Sequence, residues 1–222
     1  MQRYPSQLVA VAVCLAALAG FVDALAYTAL GGFFASFMSG NSTRIGVGLA
    51  SGRLGDAMTG AALVLSFVSG VILSAVIARA RPHAHKPAVM AAVTVLLALA
   101  ALVAAIAPGP GAPLLLAAAM GCENGVFNRD GEVSIGLTYM TGTLVRMGQR
   151  LAAALMGDGD RWGWVRYLAL WLGFVAGVVL GAGAQLSVGW NALWFAAAAS
   201  AALTLLIARV ARHSGPWTAY QP

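Results

Sequence analysis

The sequence predicts an all-α integral membrane protein made of two inverted repeats, each with three transmembrane helices and one re-entrant or broken helix. Three observations lead there: a composition suited to lipid, an internal repeat that runs the length of the chain, and a lopsided distribution of loop cations. Of 222 residues, 60% are hydrophobic and 9% are charged, whereas soluble domains carry about 25% charged residues. A chain with so few charges cannot cover itself with polar surface, and neither a soluble enzyme nor a nucleic-acid partner is expected of it.

Six apolar runs follow in order, at 8–29, 57–78, 88–107, 113–127, 165–186 and 190–208. Most reach the ~20 residues that cross ~30 Å of hydrocarbon as a helix, and the fourth is short. The first run, preceded by one arginine, also fits a signal peptide cleaved after Ala17-Leu18-Ala19. Its pattern recurs internally at "LLLAAAMGCENG", where nothing could be cleaved, so a retained span is the reading adopted. Cys14 and Cys122 both fall inside runs, which argues against a disulfide framework. "PGPGAP" at 108–113 is a tight turn between the halves, because Pro and Gly cannot continue a helix there. The chain divides into repeat one, 1–108, and repeat two, 109–222, within a single membrane domain.

Self-comparison supplies the repeat. "GFVDA" at Gly20 aligns with "GCENG" at Gly121, an offset of 101 that matches Asp23 to Asn124. "SFMSGNSTRIG" from Ser36 aligns with "TYMTGTLVRMG" from Thr138 at an offset of 102, matching Met38, Gly40, Arg44 and Gly46 to Met140, Gly142, Arg146 and Gly148. "FVSGVILSA" from Phe67 aligns with "FVAGVVLGA" from Phe174 at an offset of 107, with six of nine positions identical.

Loop charge decides the topology, since short cytoplasmic loops are enriched in Lys and Arg. If the motif segments crossed the membrane, the loop cations would split six to four between the two sides. If the segments dip in and return, Arg3, Arg79, Arg81, Lys86, Arg129, Arg161, Arg166, Arg209 and Arg212 share the cytoplasmic side and Arg53 alone lies outside. Nine to one favours six spans with both termini cytoplasmic. Three crossings per repeat then force the second copy to enter from the opposite side.

A re-entrant segment needs a breaker at its tip, and Ser39-Gly40-Asn41 and Thr141-Gly142-Thr143 offer glycine between small polar neighbours. Half-helices of about 8 residues on either side would reach about 12 Å, close to the bilayer centre. Arg44 and Arg146 follow in the returning half-helix, where the dipole is already positive and a cation calls for an anionic partner. The acids available are Asp23 and Glu123, with Asn124 and Asn128 one helical turn apart. Cross-repeat pairs, Asp23 with Arg146 and Glu123 with Arg44, would neutralise each other symmetrically.

Those charges admit two readings: they pin the re-entrant segments to the bundle, or they line a path for a small solute or ion, as in transporters built from inverted repeats. On the second reading the substrate-binding candidates are Asp23, Ser39, Gly40, Asn41, Arg44, Glu123, Asn124, Thr141, Gly142, Thr143 and Arg146, and the solute could be anionic. The first reading gives a membrane scaffold.

"GFVDA", "MSGN", "GCENG" and "YMTGT", in this order, resemble the YoaK family of small bacterial membrane proteins, and the resemblance covers nearly the whole chain. The family pattern runs G-x-x-D-A, T-G-N, G-x-x-N-A, T-G. Ser39 stands here in the threonine position, Glu123 precedes the asparagine, and Gly125 replaces the alanine. Ser39 keeps the hydroxyl, while Glu123 adds a charge. The resemblance implies six spans and brings no activity with it.

Weaker signals complete the reading. Gly173, Gly177 and Gly181 form a small-residue face matched by Ser66, Gly70 and Ser74, suited to packing the two helices on each other or to a homodimer seam. "GDGD" at 157–160 fits the G-x-G-D string of intramembrane aspartyl proteases but lies beside Arg161 and Trp162 in an interfacial loop without a membrane-embedded Tyr-Asp partner. "RARPHAHKP" at 79–87 is a cytoplasmic anchor able to meet anionic headgroups, and its two histidines make a poor metal site. With no P-loop, zinc-protease string or Ser/His/Asp set, neither enzyme activity nor a metal or cofactor is expected.

Overall fold

The computed structural model describes residues 6–107, 109–129, 132–133, 138–157 and 160–213. Arg3, Pro108, Asp158, Gly159 and the side chains of Asn128, Arg129 and Arg212, which entered the sequence reading, lie outside the described residues. Helices account for nearly all of the rest: α1 Ser6–Ala29, α2 Met38–Ala50, α3 Leu54–Ala80, α4 His85–Ile106, α5 Gly111–Glu123, α6 Met140–Leu155, α7 Val165–Val188 and α8 Ala192–His213. A two-residue antiparallel ladder, β1 Asn128–Arg129 with β2 Glu132–Val133, is the one departure from helix and loop among the described residues.

Four stretches are long and apolar enough to cross a membrane: Leu8–Ala29, Leu54–Ala80, His85–Ile106 and Val165–Val210. The last has 46 residues and covers α7 and most of α8, joined through a single 3-10 turn at Gly189–Asn191. At 1.5 Å per residue α7, with 24 residues, and α8, with 22, are about 36 and about 33 Å long, each enough for one bilayer core. The short fourth run becomes α5, 13 residues, continued by the 3-10 turn Asn124–Phe127. Together these rise about 28 Å, because a 3-10 turn advances about 2 Å per residue.

Helix α1 is apolar all round and correspondingly central. Ala12, Leu15, Ala16, Ala19, Val22, Leu25 and Ala26 are all fully buried. It packs mainly on α7, while α5 packs on α3 and α4, and α4 also packs on α8. Small residues bring these backbones together. A Cβ at Gly177 would fall on the Ala17 carbonyl, and one at Gly20 on the Phe174 carbonyl. The same two contacts recur elsewhere: Gly70 meets the Ala118 carbonyl and Gly121 the Phe67 carbonyl. Offsets of 101 on α1 and 107 on α3 convert the second pair of contacts into the first. The expected packing of the Gly173-Gly177-Gly181 face on the Ser66-Gly70-Ser74 face is therefore corrected. Each takes the first helix of the other copy, and Ser66 Oγ seals its seam by donating to Leu114 O at 2.6 Å. A face already occupied by α1 is also lost as a homodimer seam.

The expected glycine tips are corrected as well. Gly40 and Gly142 lie within the first turns of α2 and α6, whose helices run through them without a break. The chain turns earlier, at Gly31 (φ 62°) and Gly32 (φ 98°), left-handed positions that L side chains rarely adopt. Gly32 N donates back to Tyr27 O at 2.8 Å, the long bond of a Schellman end to α1. Residues 31–37 then run without helix to α2. Gly40 and Gly142 serve close approach instead, since a Cβ there would strike the Phe37 or Tyr139 ring folded over the helix start.

Candidate functional site

Polar groups enter the apolar bundle at two matching junctions, where the end of a buried helix meets the segment leading into a short one. In the first, Asp23 near the end of α1 is buried, and its carboxylate accepts from Ser36 N at 2.7 Å and Ser36 Oγ at 2.8 Å. In the second, Asn124 follows α5, donates through Nδ2 to Met120 O at 2.9 Å, and pairs with Thr138 Oγ1 at 3.1 Å. Asp23 and Asn124 are the residues matched at an offset of 101, and Ser36 and Thr138 those matched at 102. One junction is an acid with a hydroxyl, the other an amide with a hydroxyl.

Asn41, fully buried on α2, braces the first junction as a strand neighbour would. Its Oδ1 accepts from Phe34 N at 3.0 Å and its Nδ2 donates to Phe34 O at 2.8 Å. Backbone polar groups away from water need such partners. The matching Thr143 donates to Tyr139 O at 3.2 Å within the first turn of α6. Around the first junction Phe34 lies between Tyr27, tilted against it, and Phe37, edge-on to it, with ring centroids at 5.1 and 5.2 Å.

The predicted ion pairs are not formed. Arg44 donates from Nη1 to Gly32 O at 3.0 Å, and its guanidinium carbon lies 4.0 Å from the centroid of the Phe33 ring. A carbonyl and an aromatic face thus stand where the acid was expected, while Nε has no hydrogen-bond partner. Arg146 is exposed on α6, well suited to solvent or headgroups, and Asp23 is committed to Ser36. Ser39 and Thr141 are exposed at the starts of their helices and line no junction. The physical reason is local: 13 residues separate Asp23 from Ser36, and one Schellman turn brings them together.

Glu123 stands apart from both junctions. It is 0% exposed, and neither carboxyl oxygen has a hydrogen-bond partner. Its neighbour Cys122 is also buried, with Sγ 4.0 Å from Val89 O. Among the described residues no group of three or more His, Cys, Asp or Glu side chains is placed to hold a metal ion. Of the predicted site residues, the fold gathers Asp23, Asn41 and Arg44 around residues 31–37, and Asn124 beside Thr138. Ser36 and Thr138 were missed although both open the quoted repeat strings; hydroxyls at matching offsets were the available signal.

Long apolar helices around a core crossed by paired polar groups define a polytopic helical membrane protein. The chain belongs to the DUF1275 family, described as "Protein of unknown function (DUF1275)", whose profile matches residues 11–206. It is 35% identical over 220 residues to the "UPF0700 transmembrane protein RA0705" of Rhizobium meliloti (strain 1021), covering 96% of this chain and 91% of that one. No solved structure matches it.

Proposed function

We propose that this protein is a transporter or channel for a small solute or ion, with its site near the bilayer midplane at the interface of two inverted repeats. The observation that carries the reading is the doubled junction, Asp23 with Ser36 and Asn124 with Thr138. At membrane depth, backbone outside regular helix is tolerated only where protein or water satisfies it. Transporters built from inverted repeats place their sites at such breaks. The matching seams, α1 on α7 and α5 on α3, favour two copies related by a pseudo-two-fold axis. The loop cations favour cytoplasmic termini in a bacterial inner membrane. Resemblance to the YoaK family agrees with a multi-span membrane protein and brings no activity, and the sequence holds no motif that favours an enzyme. An anionic solute has less to recommend it, since Arg44 is already engaged by Gly32 and Phe33.

A non-transporting scaffold is the second reading, favoured by the way Asp23, Asn41 and Asn124 are each satisfied by partners inside the chain, Ser36, Phe34 and Thr138. A thermal-shift screen of the purified protein against cations, anions and small metabolites across pH separates the two. Hits are then reconstituted into liposomes and followed by solid-supported-membrane electrophysiology. A ligand that raises the melting temperature, drives a current and loses both effects in Asp23→Asn supports transport. A flat screen with no current from a folded protein favours the scaffold.

A further inference from the structure

We propose that Glu123 is a proton-binding site inside the bundle. Its place in transport, supplying the ion that a solute moves with, rests on the reading above. The site itself rests on geometry.

Glu123 closes the core face of α5, in line with Leu116, Ala119 and Met120, each fully buried. Val126, one turn on, is buried too. The matching residue in the other copy, at an offset of 101, is Val22, which is also 0% exposed. The fold therefore fills this place with a hydrocarbon once and a carboxyl once, so packing gives no reason for the acid. An ionised carboxyl without donors in such surroundings is costly, and it persists only with a cation or as the neutral acid.

Neither carboxyl oxygen of Glu123 is bonded to a cation of a neighbouring element. On α5 the adjacent titratable group is Cys122, and the acid of α1, Asp23, is held by Ser36. Helix α4 brings His85, whose Nδ1 lies 3.3 Å from Pro82 O, and Lys86, whose Nζ lies 5.8 Å from the Phe127 ring centroid. Helix α3 contributes Ser74, whose hydroxyl donates to Val71 O at 2.8 Å. A hard metal cation takes six or more oxygens, whereas a proton needs only the carboxyl. The proton is the occupant that this donor-poor setting fits.

Dicyclohexylcarbodiimide provides the probe, because it adds across its C=N bond to protonated carboxyls in apolar surroundings and then rearranges to a stable N-acylurea with no group lost. The full chain in lipid nanodiscs is treated over a pH series, mapped by mass spectrometry, and examined in parallel for the infrared band of a protonated carboxyl. Adduct at Glu123 that fades as pH rises, together with a protonated-acid band absent from Glu123→Gln, supports the site. Glu123→Val, which copies Val22, supplies a second variant with a packing precedent. Absence of both adduct and band from folded protein overturns the proposal, as does protection by sodium at fixed pH. A pH-sensitive dye inside proteoliposomes separates the two readings: adduct and band without flux leave the proton site standing and remove transport, while solute flux without either does the reverse.

Discussion

Asp23 and Ser36 are joined twice, with the carboxylate accepting from the serine backbone N–H at 2.7 Å and from its hydroxyl at 2.8 Å. Both residues are buried, so neither bond can be replaced by bulk water. The pair fixes the level at which residues 31–37 lie against α1, and it has a counterpart in Asn124 with Thr138.

Asp23→Ala is expected to destabilise by about 2–4 kcal/mol, since two charge-assisted bonds are lost and a buried N–H is left unsatisfied. Asp23→Asn should cost less, because the second junction already works with an amide. A double-mutant cycle of Asp23→Ala with Ser36→Ala should show coupling above about 0.5 kcal/mol, whereas Asp23→Asn with Arg146→Gln should be additive within that margin. Reversible unfolding in mixed micelles measures both cycles, and strong coupling to Arg146 would reject the structure's assignment.

Gly70→Ala and Gly177→Ala should each lower stability by about 1–3 kcal/mol, the usual range for overpacking, because the new Cβ meets a backbone carbonyl that cannot swing away. Gly46→Ala and Gly148→Ala have nothing within 4 Å of the added carbon. Those two should be neutral or gain up to about 1 kcal/mol from helix propensity. Equal melting temperatures across all four would show that the seams between α1 and α7 and between α3 and α5 are not close.

Arg44→Gln should destabilise by about 1–3 kcal/mol through loss of the bond to Gly32 O and the contact with Phe33. Arg146→Gln, on an exposed part of α6, should stay within about 0.5 kcal/mol. Thermal melts of the two variants give the comparison directly. Equal losses would restore a symmetric role for the two arginines.

Topology is tested with one cysteine at position 84 in a chain carrying Cys14→Ala and Cys122→Ala. These are the two native cysteines, so their removal leaves position 84 as the single thiol. Membrane-impermeant maleimide should label position 84 in inverted vesicles and not in intact cells. Labelling from outside would reject cytoplasmic termini and the inverted arrangement built on them.

Element by element, most of the helical frame is legible in the sequence, for the reason that a bilayer demands long uninterrupted apolar runs. The predicted runs at 57–78 and 88–107 became α3, Leu54–Ala80, and α4, His85–Ile106. The internal sequence repeat is legible too, and it matches Asp23 to Asn124, the residues that bond Ser36 and Thr138. Partner choice was not legible. Charge alone suggested that Asp23 would seek Arg146, because a buried carboxylate and a buried guanidinium look like mutual solutions.

Only tertiary structure could decide otherwise, since it depends on where the chain turns. The left-handed pair Gly31-Gly32 folds residues 31–37 back along α1, so that a serine 13 residues away reaches Asp23 first, while the course of α6 leaves Arg146 at the surface. The same holds for the small-residue faces. Sequence by itself determined that Gly70 and Gly177 lie on close-packing surfaces, because glycine in an apolar helix has little other use. Which backbone fills each groove, Ala118 of α5 for Gly70 and Ala17 of α1 for Gly177, is set by which helices pack together, and no local pattern encodes that choice.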